Sequence, residues 1–387
     1  MSRFLSYSLK IRESPTLAAA ELVRRLQRQG KRIIRFDCGD LLFDTPGEIK
    51  DAAYEGLRSG YTHYTSCRGI PELREAIADH LARWGVEADP ESEIIVTPGA
   101  KFAIYAAMRA TVDPGDEVIL LSPSWPTYSD CADLAGGRAV FVSMNARFHV
   151  DEEALKGAIG ERTKMLVVNT PNNPTGSVFE ARDLRVIRDL AVDHDLLVLS
   201  DEVYKLLIYD GLEHTSLKSL PGMEDRTILV DSLSKAYAMT GWRIGYAVAP
   251  KEIVDAMVKI VGSTVTCATA FAQYAGATAL RNEGYARRIR DMCDERRRLV
   301  LRLLADLSGI AYVPPRGTFY VFPDVSAYGL GSVDLSIRLL REAGVGVVAG
   351  AAFGPSGEGH VRISFAVPMG DIVEGFSRLG SFLESLR

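Results

Sequence analysis

The alternation of short apolar runs with stretches of helical periodicity is the feature of this sequence that most constrains its fold. Helical stretches such as 101–112 and 180–194 separate the runs. Short apolar strands joined by helices form parallel βαβ units that are buried on both faces. We therefore predict an α/β fold with a mostly parallel seven-stranded sheet flanked by helices. The predicted strands are 94–97, 117–121, 138–142, 165–169, 196–200, 227–230 and 243–248.

The length of the chain, 387 residues, suits one large domain and one smaller domain. Helices are predicted before the first strand at 16–29, 47–59 and 71–84, and an arginine-rich helix around 287–298 presents its charges to solvent. After it, strand-like pieces at 311–314, 319–322, 345–348 and 360–365 mix with helices at 332–343 and 371–386. We predict an N-terminal arm and part of the small domain at 1–46, a large domain at 47–280, and a small α+β domain at 281–387.

Composition excludes several classes of protein. The net charge of −5 argues against non-specific binding to nucleic acid, and no run of 18 apolar residues could span a membrane. Residues 1–12 lack the apolar core of a secretory signal. The five cysteines are scattered and the six histidines lack metal-ligand spacing. We therefore expect a cytoplasmic protein with reduced thiols and no metal site.

Residues with reactive or polar side chains follow three consecutive predicted strands. Asn173 follows the strand 165–169, Asp201 and Tyr204 follow 196–200, and Lys235 follows 227–230. Each has a structural alternative, as a turn residue, a helix cap or a surface lysine. Ligands of open α/β sheets bind beyond the carboxyl ends of the strands, where these side chains would converge. Acid–base, phosphate or imine chemistry is possible there.

Two segments resemble the class I/II aminotransferases of the aspartate aminotransferase fold type. They are Ser-Lys-Ala-Tyr-Ala-Met-Thr-Gly-Trp-Arg-Ile-Gly at 234–245 and Asn-Asn-Pro-Thr-Gly at 172–176. The resemblance runs from 60–65 to 361–365 and so covers nearly the whole chain. It implies pyridoxal 5'-phosphate (PLP) fold type I. It also implies transfer of an amino group from an L-amino acid to a 2-oxo acid in a ping-pong cycle, in which the cofactor alternates between its aldehyde and amine forms.

The resemblance assigns the cofactor ring to five residues. Lys235 matches the lysine that holds the cofactor as an imine and then moves the substrate proton. Asp201 matches the carboxylate beneath the pyridine nitrogen, which keeps that nitrogen protonated. Asn173 and Tyr204 match the pair that binds the phenolic oxygen, and Trp125 matches an aromatic residue on the ring face. The implied catalytic residues are thus Lys235, Asp201 and Tyr204.

The resemblance also implies a phosphate site and a substrate site. The phosphate-binding residues would be Gly99, Ala100, Lys101, Ser232 and Arg243, together with Tyr64 from a neighbouring subunit, which implies a homodimer with shared active sites. Arg362 matches the arginine that grips the substrate α-carboxylate, beside Asn173 and the backbone of Gly39. Family members also carry cis bonds at the positions of Ser122–Pro123 and Asn173–Pro174.

Other functions stay open at this point. A β-lyase, a decarboxylase or an oxidase could use the same scaffold and cofactor. A non-catalytic regulatory module is disfavoured because Lys235 is intact. One departure from the family pattern is Gly39-Asp40-Leu41-Leu42-Phe43, a loop that borders the implied substrate pocket and lacks the family's proline. The amino donor is not indicated, and Lys101 could contact either a distal carboxylate or the phosphate.

Overall fold

The computed structural model describes residues 15–387, and side-chain surroundings from residue 21 onward. The strands are β1 (Ile34–Arg35), β2 (Ile94–Thr97), β3 (Glu117–Ser122), β4 (Arg138–Ser143), β5 (Thr163–Asn169), β6 (Leu197–Asp201), β7 (Thr227–Ser232), β8 (Gly245–Val248), β9 (Tyr320–Val321), β10 (Val345–Gly346), β11 (Val348–Ala349) and β12 (Val361–Ser364). The α-helices are α1 (Pro15–Arg28), α2 (Gly47–Arg58), α3 (Pro71–Ala82), α4 (Ala100–Thr111), α5 (Thr127–Ala135), α6 (Glu152–Ala158), α7 (Ala181–Asp193), α8 (Lys251–Thr264), α9 (Ala270–Leu280), α10 (Glu283–Ala305), α11 (Ser332–Arg338) and α12 (Met369–Glu384).

Within these residues the large sheet has seven strands in the order β2-β8-β7-β6-β5-β3-β4. Strand β8 is antiparallel to both of its neighbours, and the other strand pairs are parallel. The predicted fold class is confirmed. The strand predicted at 243–248 begins only at Gly245, because Arg243 has the left-handed backbone angles φ 57° and ψ 51°, which a strand cannot contain.

The C-terminal part of the described chain contains a three-stranded antiparallel sheet, in the order β11-β12-β9. A strand at 311–314 was a wrong prediction, because only Ala311 forms a single bridge, to Asp324. The prolines at 314 and 315 have no N–H to donate to a ladder. The helix predicted at 332–343 is α-helical only to Arg338 and ends in a π-helical turn, Leu339–Ala343.

Strand β1 pairs in parallel with β10, so the chain around residue 34 lies beside C-terminal elements. The domain boundaries at residues 46 and 280 stay a prediction, and residues 1–14 of the predicted arm lie outside the described residues. Between residues 15 and 387, no helix combines the length and the apolar character needed to cross a membrane.

Helix α10 corrects the interpretation of the arginine-rich segment. Arg297 is only 4% exposed and forms ion pairs with Asp210 at 2.6 Å and Asp294 at 2.7 Å. Arg296 donates to the main-chain oxygen of Val367 at 2.9 Å. The expectation that this segment presents its charges to solvent is wrong for these two residues, because helical periodicity turns one side of the helix, with Ile289 and Cys293, toward the protein.

Candidate active site

A cavity of about 390 Å³ lies beyond the carboxyl ends of β5, β6 and β7. Most of the residues implied by the family resemblance line it: Gly39, Ala100, Lys101, Trp125, Asn173, Asp201, Tyr204, Ser232, Lys235, Arg243 and Arg362. Gly99 does not line the cavity but lies next to Arg243, which does. Tyr64 does not line the cavity, and 86% of its surface is exposed. The structure therefore brings together the predicted residues except Tyr64.

Lys235 projects into the cavity from the loop after β7. Its Nζ donates a hydrogen bond to the main-chain oxygen of Gly39 at 2.7 Å. Burial lowers the pKa of its amine to about 8, since charge is costly away from water. A larger fraction of the amine is therefore neutral near pH 7 than for an ordinary lysine. A neutral amine is the form that attacks a carbonyl carbon and accepts a proton.

Asp201, the last residue of β6, is a buried carboxylate at the floor of the cavity. Its Oδ2 accepts a hydrogen bond from the Tyr128 hydroxyl at 2.7 Å, and its Oδ1 accepts from the amide of Val203 at 3.3 Å. Burial still raises the pKa of Asp201 to about 7, with hydrogen bonds opposing the rise. Among the described residues it has no ion-pair partner. A protonated ring nitrogen would supply the missing cation.

Asn173 and Tyr204 present hydrogen-bonding groups beside Asp201. The main-chain N–H of Asn173 donates to Asn169 Oδ1 at 2.8 Å, and the side-chain Oδ1 of Asn173 accepts from Arg362 Nη1 at 3.1 Å. The bond from Arg362 orients the side chain and leaves its Nδ2 as a donor. The Tyr204 hydroxyl lies 3.2 Å from that of Tyr320. Both groups suit an electronegative ring oxygen.

The opposite end of the cavity forms a cradle for an anion. Gly99 has φ +83°, and a Cβ there would lie 2.4 Å from Arg243 Nη2. A Cβ on Gly245 would lie 2.4 Å from the amide nitrogen of Ala100. These glycines let the Arg243 guanidinium and the N-terminus of α4 approach closely, where free N–H groups and the helix dipole favour negative charge. In the described chain Arg243 has no ion-pair partner, so a phosphate fits this cradle.

Arg362, on β12, is a second cation facing the cavity. It is 4% exposed, and its Nη2 donates to the main-chain oxygen of Asp37 at 2.9 Å. Its Nε has no hydrogen-bond partner among the described residues, and no carboxylate pairs with it there. A buried guanidinium without a counter-ion is costly unless a ligand supplies one. An α-carboxylate would do so.

Trp125 and Lys101 form the outer wall. The Lys101 Nζ lies 4.9 Å from the centroid of the Trp125 ring, which meets Tyr128 edge to face at 5.5 Å. The peptide bonds Ser122–Pro123 and Asn173–Pro174 are cis as expected, and Thr170–Pro171 is cis as well. In the loop that lacks the family's proline, Leu42 donates its N–H to Ala366 at 3.3 Å. The loop still brings the Gly39 carbonyl to Lys235.

The sequence reasoning missed three residues that complete the site. Asn169 ends β5, so the strand-end rule that found Asp201 could have found it. Tyr128 lies on α5, a helix that was not predicted. Tyr320 was predicted as part of a strand, with no signal that its side chain enters the cavity.

Comparisons with known proteins agree with this geometry. The family model described as aminotransferase class I and II matches residues 31–379. An aspartate aminotransferase of Pyrococcus abyssi is 44% identical over 359 residues, 91% of this chain and 92% of the relative. An aromatic-amino-acid aminotransferase of Thermococcus litoralis is 41% identical over 91% of this chain and 92% of its own length. The solved structure of Thermus thermophilus aspartate aminotransferase with maleate has a TM-score of 0.93 at 40% identity, covering 98% of this chain and 100% of the other.

The chain belongs to the class I and II aminotransferase family. Members of this family depend on PLP, and the chain is an aminotransferase of that kind.

Proposed function

We propose that this enzyme exchanges amino groups between L-amino acids and 2-oxo acids with PLP held in the Lys235 cavity. The proposal rests on three side chains that face the same cavity. A buried carboxylate without a cation (Asp201), a lysine of lowered pKa (Lys235) and a buried guanidinium without a carboxylate (Arg362) face one space. Each of the three lacks the charge or bond that a PLP–amino acid pair would bring.

The bound cofactor would supply an electron sink for the carbon that loses its proton. Asp201 would keep the ring nitrogen protonated, and Asn173 and Tyr204 would donate to the phenolic oxygen. Lys235 would hold the cofactor and move the substrate proton. The phosphate would lie against the α4 N-terminus, Ser232 and Arg243, with Trp125 on the ring face. Arg362, beside Gly39 and Asn173, would orient the substrate through its α-carboxylate in both halves of a ping-pong cycle.

We further propose that dicarboxylic amino acids are the preferred substrates. The cavity is also lined by Lys101, Arg24 and Arg35. Arg35 is committed to Asp37 by two bonds of 2.7 and 2.9 Å, and Arg24 is paired with Glu21 at 3.2 Å. Lys101 has no ion-pair partner among the described residues, so it is the cation that can receive a distal carboxylate. The names of the Pyrococcus and Thermus relatives support this class of substrate.

Lys101→Ala tests the substrate class. We expect kcat/KM for aspartate and glutamate to fall roughly tenfold, the effect of losing one partly solvated charge-assisted hydrogen bond. The value for phenylalanine and tyrosine should stay within about threefold, because those side chains carry no charge for Lys101 to bind. Donor screens with 2-oxoglutarate, run on wild type, Lys101→Ala and Lys101→Arg, measure this. A wild type that prefers aromatic donors, or an equal loss for both classes, would contradict the assignment.

We also propose a cytoplasmic homodimer with shared active sites. Tyr54 and Leu57 are 64% and 40% exposed and border a surface depression lined by Phe43, Trp242 and Phe271. Arg243 lines both this depression and the active-site cavity. A second copy seated on these apolar side chains would therefore meet the phosphate end of the site. The exposed Tyr64 would then serve the partner's phosphate.

Subunit mixing tests the shared site. Tyr64→Ala subunits keep Lys235, and Lys235→Ala subunits keep Tyr64, so a mixed dimer would contain one site with both residues intact. We expect activity to recover toward roughly one working site per mixed dimer after verified exchange. Each variant assayed alone is the control. If the activity of the mixture does not exceed the sum of the activities of the two variants assayed alone, Tyr64 acts within its own chain or not at all.

A further inference from the structure

Tyr320 is a buried residue that touches three predicted site residues without having been assigned a role. It lies on β9, opposite Ser364 of β12, and 1% of its surface is exposed. Its side chain enters the cavity that holds Lys235. It approaches Gly39 so closely that a Cβ at that position would lie 3.0 Å from its hydroxyl oxygen.

The hydroxyl of Tyr320 lies 3.2 Å from the hydroxyl of Tyr204, so one phenol donates to the other. Burial raises the pKa of both, so each keeps its proton near neutral pH. If the Tyr204 proton points at the phenolic oxygen of the cofactor, Tyr204 can only accept from its neighbour. Tyr320 must then be the donor. With this arrangement the Tyr320 proton bonds to Tyr204 and the Tyr204 proton bonds to the cofactor, so both phenol protons are hydrogen-bonded.

The ring of Tyr320 has a second contact, to the substrate arginine. The guanidinium carbon of Arg362 lies 4.4 Å from the ring centroid, within the range of a cation–π interaction. The two Nη atoms of Arg362 are fixed by Asn173 and Asp37. The Phe353 ring lies 5.2 Å from the same carbon, so the Tyr320 ring is the nearer of two aromatic rings that support the guanidinium.

We propose that Tyr320 is a positioning residue. Its hydroxyl donates to Tyr204 and so turns the Tyr204 proton toward the cofactor's phenolic oxygen, while its ring supports Arg362 for the α-carboxylate. This role rests on the proposed placement of the cofactor. The other charged or titratable groups that face the two phenols are Tyr128, Asp201, Arg362, Asp40, Cys38 and Lys235. Tyr320→Phe changes none of them.

Tyr320→Phe separates the two contacts, because it removes the hydroxyl and keeps the ring. Donation to the phenolic oxygen stabilises the deprotonated form of the lysine-bound cofactor. We therefore expect the midpoint of its visible absorbance titration to rise by roughly 0.4 to 1 pH unit, the equivalent of one neutral hydrogen bond. We expect kcat to fall about three- to tenfold and KM for the amino acid to stay within about twofold. Tyr320→Leu, which also removes the ring, should raise KM about tenfold more.

Tyr209→Phe is a matched control. The Tyr209 hydroxyl is also buried and bonds the Thr318 carbonyl two residues from Tyr320, but Tyr209 does not line the cavity. It should leave the absorbance midpoint and KM unchanged. In a Tyr204→Phe background, Tyr320→Phe should add no further shift, since the acceptor is gone.

The proposal would be overturned if the absorbance titration of Tyr320→Phe had the wild-type midpoint. An equal shift of the midpoint in Tyr209→Phe, or additive shifts when Tyr204→Phe and Tyr320→Phe are combined, would also overturn it. If Tyr320→Phe does not fold, a wild-type absorbance midpoint in Tyr204→Phe would also overturn the proposal, because the phenol that Tyr320 orients would then have no role at the cofactor oxygen. A wild-type enzyme without visible absorbance would instead refute the placement of the cofactor.

Discussion

Lys235→Ala is expected to lower the rate of transamination by roughly four orders of magnitude or more, since the same amine would hold the cofactor and move the proton. The fold should persist. The substitution removes one hydrogen bond, from Nζ to the Gly39 carbonyl, which contributes about 1 kcal/mol to the free energy of unfolding. Steady-state kinetics and thermal unfolding measure the two effects.

Lys218→Ala is the matched control for this variant. Lys218 is also a buried lysine of lowered pKa, and its Nζ donates to the carbonyl of Glu224 at 2.6 Å. It does not line the cavity. Lys218→Ala should cost stability and keep activity. Full activity in Lys235→Ala, or an equal loss of activity in both variants, would refute the role of Lys235.

Asp201→Asn should lower kcat/KM by about 10²- to 10⁴-fold. The substitution keeps an acceptor for the Tyr128 hydroxyl, but a neutral amide cannot hold the ring nitrogen in its protonated form. The range corresponds to about 3–5 kcal/mol for breaking a buried charge pair. Kinetics with saturating cofactor measure it. Asp183→Asn is the control. Asp183 is a buried carboxylate that lies 2.7 Å from His149 Nδ1 and does not line the cavity, so this variant should keep activity.

The raised pKa of Asp201 also predicts a pH effect on the cofactor-free enzyme. Its pKa rises from 3.8 to about 7 on folding, so the folded state binds this proton more tightly than the unfolded state. The free energy of unfolding should therefore fall as pH rises from about 4 to 7, by at most about 1.4 kcal/mol per pH unit from this group. Asp201→Asn cannot ionise and should lack that decline. Parallel pH profiles for the two cofactor-free proteins would contradict the pKa shift.

Much of the site could be predicted from the rule that ligands of open α/β sheets bind beyond the carboxyl ends of the strands. Asn173 and Lys235 follow β5 and β7, Asp201 ends β6 between them, and parallel strands deliver their carboxyl ends to one edge. Alternating apolar runs and helices indicated those strands because each is buried on both faces. Arg243 lies near the end of the same segment after β7 that carries Lys235. The family resemblance gave Arg243 its phosphate role and added Arg362, which lies on β12 and follows no such rule.

What could not be predicted depends on contacts between distant segments. Tyr128 and Tyr320 reach Asp201 and Tyr204 across 73 and 116 residues, and no local pattern records such a meeting. The burial of Arg297 likewise depends on Asp210, 87 residues away. The strand expected at 311–314 failed because apolar residues beside prolines can pack without pairing. Local patterns predict elements, and tertiary contacts decide which side chains meet.

Chemical mapping of the cofactor lysine tests the central claim most directly. The enzyme as isolated should be yellow, and borohydride should fix the cofactor to its lysine. Proteolysis and mass spectrometry should then find the pyridoxyl group on the peptide that contains Lys235, and on no peptide from the Lys235→Ala variant. A label on another lysine, or a colourless enzyme that takes up no PLP yet transaminates, would contradict the account.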